Sequence, residues 1–190
     1  NAFYRSSINI LFIPSKTVNL EDGWCSGLPK LNKITVSPDN PRYSLFDEKI
    51  IIGKSSIESD IYDILEFACR DIEYVTIPSF IKIIKNNAFN CCFNLQNVKF
   101  LQNSELQIID DYAYSSTRIK KFSIPPHLKK IGKHAFDGCF KLFKVDLLST
   151  SSELQSISEY AFFDSEIECL SIPASTVELE RGWCHGALSL

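Results

Sequence analysis

Apolar residues in this chain recur in a short pattern, apolar-x-x-apolar-x-apolar, followed by a break. One set reads Ile8-x-x-Leu11-x-Ile13, Ile72-x-x-Val75-x-Ile77, Ile119-x-x-Phe122-x-Ile124 and Ile167-x-x-Leu170-x-Ile172, each closed by a proline. A second set lacks the proline: Leu31-x-x-Ile34-x-Val36, Leu95-x-x-Val98-x-Phe100 and Leu142-x-x-Val145-x-Leu147. The alternation that ends each run predicts a short, half-buried strand. A proline directly after such a strand has no N–H to give to a ladder, so it ends the strand and turns the chain.

The spacing of these runs defines a repeat. Pro14, Pro78, Pro125 and Pro173 are 64, 47 and 48 residues apart. A small residue followed by an aromatic one recurs at Ala88-Phe89, Ala113-Tyr114, Ala135-Phe136 and Ala161-Phe162, in steps of 25, 22 and 26. Two unit types therefore alternate, with a unit of about 23 to 24 residues. After each strand comes an apolar pair such as Leu106 and Ile109, or Leu128 and Ile131, and then the small-aromatic step with a spacing that suits a helical turn. One unit cannot bury its apolar face alone. Stacked units can, and each buried Leu, Ile or Phe then contributes roughly 1.5–3 kcal/mol.

One array is thus expected over residues 1–190, with about seven to eight units of 22–26 residues. Both ends are expected to fall inside a unit. Asn1-Ala2-Phe3 opens on a small-aromatic step, and Gly182-Trp183-Cys184 repeats Gly23-Trp24-Cys25 shortly before Leu190. The rhythm is broken at residues 37–54, where turn residues and two apolar runs around Asp47-Glu48 predict an inserted β-hairpin. The following stretch, Ser59 to Phe67, is expected to form a repeat helix capped by Ser59 or Asp60.

The apolar-x-x-Ile-x-Ile-Pro run, followed by Ile131-Gly132-Lys133-His134-Ala135-Phe136-Asp137-Gly138-Cys139, resembles the BspA-like leucine-rich repeat. The likeness extends over nearly the whole chain. It implies an α/β repeat solenoid: a right-handed leucine-rich-repeat array with a short parallel β-sheet on its concave face and turns or short helices on its convex face. That family includes surface proteins of bacteria and protists associated with adhesion, so a cell-surface or extracellular site is implied. The position after each strand is Pro, Ser or Leu rather than the asparagine of the best-known leucine-rich repeats, so no ligand site carries over from those.

Composition narrows the function classes. A hydrophobic content of 45% can supply a core, and a net charge of −3 gives no overall reason to expect nucleic acid as a partner. No run reaches the roughly 20 apolar residues that a membrane span needs. The seven cysteines, Cys25, Cys69, Cys91, Cys92, Cys139, Cys169 and Cys184, are odd in number and contain no C-x-x-C pair. Cys92 and Cys139 share a repeat position, as do Cys25 and Cys184, which points to packing as small buried hydrophobes rather than to zinc or disulfides. Cys139 with His134 is the nearest thiol-imidazole pair, but five residues apart on a turn they need not face each other. No phosphate loop, nucleophile elbow or zinc-helix motif is present, so neither catalysis nor a cofactor is expected.

What remains is the strand surface. Residues between the buried apolar positions project from the opposite face, which assigns Lys33, Tyr74, Thr76, Asn97, Lys99, Lys121, Ser123, Lys144 and Asp146 to a candidate ligand face. Lys99, Lys121 and Lys144 read as a lane of like charges on three successive units, whose repulsion an acidic partner would relieve. The expected function is non-catalytic binding of other proteins, whether host, matrix or neighbouring-cell proteins. The alternative is a cytoplasmic scaffold that assembles with partner chains, which free thiols favour.

Overall fold

The computed structural model describes residues 6–148 and 150–186, so the Ala2-Phe3 step and Leu190 lie outside the described residues. In chain order the strands are β1 (Ile10–Ile13), β2 (Lys33–Val36), β3 (Tyr43–Phe46), β4 (Ile50–Gly53), β5 (Ile64–Ala68), β6 (Tyr74–Ile77), β7 (Ile83–Ile84) and β8 (Asn97–Phe100). They continue with β9 (Ile108–Ile109), β10 (Lys121–Ile124), β11 (Lys130–Ile131), β12 (Lys144–Leu147), β13 (Ser156–Ile157), β14 (Cys169–Leu170) and β15 (Glu178–Leu179). Together they form a β-solenoid of about seven turns.

From β6 onward each turn of the solenoid contributes one strand to each of two sheets, in parallel with its neighbours. The longer strands β6, β8, β10, β12 and β14 make a five-stranded sheet, with β1 and β2 as a separate parallel pair. The two-residue strands β7, β9, β11, β13 and β15 pair in parallel in the second sheet. Between the sheets the chain turns at the predicted prolines, whose carbonyls accept the turn-closing bond: Thr17 N–H to Pro14 O, Ile81 to Pro78, Leu128 to Pro125 and Thr176 to Pro173, at 3.1–3.3 Å.

Among the described residues there is no helix, which corrects the expectation of helical turns after the small-aromatic step. The backbone there alternates in handedness instead. Asn87 and Cys91, Tyr112 and Ser116, His134 and Gly138, Tyr160 and Asp164, and Gly182 and Gly186 all have positive φ, twice per turn and four residues apart. A right-handed helix cannot pass through such residues. Alternate N–H groups are thereby freed to bond the next turn: Phe89 to Ala113 O (2.7 Å), Tyr114 to Ala135 O (2.8 Å), Phe136 to Ala161 O (2.7 Å) and Phe162 to Trp183 O (2.8 Å). The rings at these positions stack as a buried column, Phe89–Tyr114–Phe136–Phe162, with centroids 4.9, 5.2 and 5.1 Å apart. Gly182 is required by its neighbour, because a Cβ there would lie 2.6 Å from the Tyr160 ring.

The predicted helix at Ser59–Phe67 is also replaced. Ser59 Oγ closes a local turn with Ile61 instead, accepting from its N–H (3.0 Å) and donating to its carbonyl (3.4 Å), and the chain then enters β5. Asp47 and Glu48, both at positive φ, join β3 antiparallel to β4, and β4 pairs antiparallel with β5. Every residue of β4 and β5 is buried, as befits strands covered on both faces rather than an amphipathic helix. Ile51 and Phe67 enter a small core with Ile13, Cys25, Leu28, Leu31 and Ile34. Ile50, Ile52 and Leu65 enter the large core of the later turns. The β4–β5 layer is therefore a wall between two cores.

This wall shortens one turn of the solenoid. Residues 69–73 alone connect β5 to β6, whereas residues 85–96 connect β7 to β8. That leaves one place in the column of turns without a turn, and Arg70 fills it. The residue is 3% exposed, and its guanidinium donates from Nη2 to Cys25 O and Asn87 O (both 3.3 Å) and from Nη1 to Ala88 O (2.9 Å), with its carbon 4.2 Å from the Phe67 ring centroid. Arg70→Ala removes these charged donors from buried carbonyls and should lower the unfolding free energy by about 3 kcal/mol. Arg70→Lys should recover little, because an ammonium cannot span carbonyls on both sides. Chemical denaturation of the two variants measures both effects, and a loss under about 1 kcal/mol would refute the bridging role.

The aromatic column contains one mismatch. Tyr114 stands where its neighbours carry Phe89, Phe136 and Phe162, and its buried hydroxyl has no hydrogen-bond partner among the described residues. Burial raises its pKa well above the ordinary tyrosine value, so it stays a neutral, unsatisfied O–H. Tyr114→Phe should stabilise the fold by about 1 kcal/mol, read as a higher melting temperature.

Candidate protein-binding face

The five-stranded sheet points one set of side chains into the large core and the other set outward. Val75, Phe122 and Val145 are buried, while Tyr74, Thr76, Asn97, Lys99 and Lys121 are exposed and Ser123, Lys144 and Asp146 are half-exposed. Parallel register then sorts the outward residues into rows. Tyr74 lies beside Asn97, Asn97 beside Lys121, Lys121 beside Lys144 and Lys144 beside Cys169. Thr76 lies beside Lys99, and Ser123 beside Asp146. Lys33 projects from β2, paired with β1, and so belongs to the separate two-stranded sheet.

The expected lane of three lysines is not continuous. Lys121 and Lys144 are register partners, but Lys99 sits two residues further along its strand, in the second row. The repulsion inferred from the lane is also resolved within the protein. Lys144 Nζ pairs with Asp146 Oδ2 (2.9 Å), Ser123 Oγ donates to Asp146 Oδ1 (2.7 Å), and Lys121 Nζ rests 5.5 Å from the Phe143 ring centroid. Partial burial opposes ionisation of Asp146, yet the bonds from Ser123 and Lys144 hold its pKa below the ordinary carboxylate value. The side-chain bond to Asp146 in turn raises the pKa of Lys144. An acidic partner is therefore not needed to relieve strain. The face offers an exposed tyrosine at one end, hydroxyl and amide groups, two cations (Lys99 and Lys121) in no ion pair among the described residues, and a neutralised pair at the other end.

A further concavity carries no repeat signal in the sequence. A cleft of about 1260 Å³ lies between the turn joining β3 to β4 and the free edge of β6, lined by Phe46, Asp47, Lys49, Asp71, Glu73 and Tyr74 among others. It arises because the wall takes the place of a strand between β2 and β6. The only sequence signal near it was the Asp47-Glu48 turn.

The candidate thiol chemistry does not assemble. Cys139 is fully buried, its sulfur donates to Tyr114 O (3.2 Å), and burial pushes its pKa up to about 12. His134 is engaged elsewhere, its Nδ1 3.0 Å from Asp137 Oδ2 and its ring stacked on Tyr112 and Tyr160. Among the described residues no group of three or more His, Cys, Asp or Glu side chains converges to hold a metal ion.

These features define the class: a parallel repeat solenoid that carries its accessible groups on a sheet face and turns. The model of the BspA type leucine rich repeat region matches residues 56–184 in six copies, and the chain belongs to that family. Two solved structures share the fold. A leucine-rich repeat protein from Eubacterium ventriosum has 20% identity and a TM-score of 0.63, over 97% of this chain and 60% of its own. The pneumococcal vaccine antigen PcpA has 20% identity and a TM-score of 0.62, over 100% of this chain and 39% of its own. The chain thus spans less than two thirds of the length of either. No curated protein sequence matches it.

All seven cysteines are free thiols. Burial raises the pKa of Cys25 and Cys69 to about 11 and also raises that of Cys92. A native thiol titration should therefore label the exposed Cys169 fastest, leaving Cys25, Cys69, Cys92 and Cys139 unreactive until denaturant is added. Rapid labelling of these four, or their absence from the denatured count without reductant, would contradict the packing role.

Proposed function

We propose that the chain is a non-catalytic module that binds other proteins through the outward face of its five-stranded sheet, as part of a larger cell-surface protein. The observation that carries this reading is the in-register row Tyr74–Asn97–Lys121–Lys144, where an exposed aromatic ring and a free cation stand on a parallel sheet held in register. Tyrosine anchors and a polar rim are what protein interfaces use, and a preformed sheet loses little conformational entropy on binding. Thr76, Lys99, Ser123 and Asp146 extend the contact area, and Lys33 adds a peripheral contact across the cleft. Family membership supports the surface location. The seven free thiols support the second reading, a cytoplasmic scaffold using the same face.

The face is tested by mapping, since its partner is unidentified. A photo-reactive phenylalanine analogue placed at Tyr74 or Lys121 should cross-link to proteins of the opposing cell or matrix. The same group at Lys82 or Lys129, outside the five-stranded sheet, should not. Captured partners should then lose about tenfold in affinity with Tyr74→Ala plus Lys121→Glu, at unchanged melting temperature. Equal cross-linking from all four positions would dismiss the face.

A further inference from the structure

The wall that interrupts the array leaves β6 as the last strand of the five-stranded sheet, and its free edge opens into the cleft. The hydrogen-bond phase shows which main-chain groups face it. Glu73 O accepts from Gln96 N–H (2.8 Å), and at the matching position three turns later Cys169 and Ser171 N–H donate to Phe143 O and Val145 O. In a parallel ladder the N–H and C=O of one residue turn to the same side, and successive residues alternate. Val75 and Ile77 therefore bond towards β8, while the N–H and C=O of Tyr74 and Thr76 turn away from it, into the cleft. No hydrogen bond from a side chain of the described residues reaches them.

Exposed edges are ordinarily blunted by lysine, proline or a bulge. β6, Tyr-Val-Thr-Ile, has none of these and pairs with β8 in unbroken register. The opposite wall is the hairpin turn. Its Lys49 reaches across to Asp71 (2.7 Å), so that side-chain pair is neutralised. Asp47 and Glu73, which also line the cleft, make no ion pair among the described residues, and Glu48 is exposed beside them. Tyr74, 75% exposed, and Leu101, 37% exposed, supply the apolar surface.

We propose that this edge receives an extended, lysine- or arginine-bearing segment of another protein as an added parallel or antiparallel strand. Main-chain groups of Tyr74 and Thr76 would hold its backbone, and Asp47 and Glu73 its basic side chains, as in recognition by strand addition. The inference goes beyond the face described above, because it uses main-chain groups at the sheet edge rather than the outward side chains.

The probe is a fluorescein-labelled peptide of about nine residues, alternating threonine and valine with lysine at both ends. Anisotropy should show saturable binding, and amide hydrogen exchange should slow at Tyr74 and Thr76 by about tenfold or more in the complex. Three changes should each weaken binding by about tenfold: methylation of alternate peptide nitrogens, Glu73→Lys with Asp47→Lys, and Thr76→Pro. Thr76→Pro removes only an edge N–H and leaves the bonds to β8, so its melting temperature should match that of the parent protein. Should that variant fail to fold, the N-methylated peptide carries the test unaided. Lys121→Glu should leave peptide binding unaltered, which separates this site from the outward face. Three results overturn the proposal: no saturable binding, binding without protection of Tyr74 and Thr76, or binding lost in Lys121→Glu. Protection of both amides in the free protein together with a sedimenting dimer would assign the edge to a second copy instead, and equally overturns it.

Discussion

Everything in this molecule depends on one repeated main-chain contact, the N–H of the residue after the small one in four successive turns bonding a carbonyl of the next turn at 2.7–2.8 Å. It fixes the distance between turns at the spacing of a parallel ladder, which is also close to the spacing at which aromatic rings stack. The column Phe89–Tyr114–Phe136–Phe162 is thus packed by the same geometry that bonds the backbone. The outward face inherits its regularity from that contact. Tyr74, Asn97, Lys121 and Lys144 form a row only because their turns cannot slip relative to one another.

Strands and their inward sides were legible because alternation is a short-range property: Val75, Phe122 and Val145 announce themselves as core without any knowledge of neighbours. Rows are a different matter. The repeat pattern places Lys99, Lys121 and Lys144 on the same face, but only register separates Lys99 from the other two, and only the folded chain brings Lys144 onto Asp146. The turns misled for a physical reason. Phe89 and Cys92, or Phe136 and Cys139, are three apart and both buried, as on a helix, while the left-handed residues that forbid a helix are mostly not glycine. Asn87, Tyr112, His134 and Tyr160 take that conformation because the ladder and ring stacking hold them there, and no composition rule flags them.

Arg70 illustrates a further limit. Its neighbours Cys69 and Asp71 give no hint that a buried cation replaces a missing turn, because the need for it arises from the inserted strands more than a dozen residues earlier. Insertion, short connection and arginine form one solution. The hairpin adds strands to the second sheet, the shortened path removes a turn, and a planar group with several donors satisfies the carbonyls that the absent turn would have met.

The wall of β4 and β5 changes how such an array comes apart. In a uniform solenoid every turn has equivalent neighbours, so fraying proceeds from either end without a preferred stopping place. Here the small core can dissolve and leave Ile50, Ile52 and Leu65 still seated in the large one, exposing on the wall side Tyr43, Ile51, Phe67 and Cys69. The wall behaves like a bulkhead between compartments. It divides one cooperative unit into two that share a partition, and it confines damage on one side from spreading to the other.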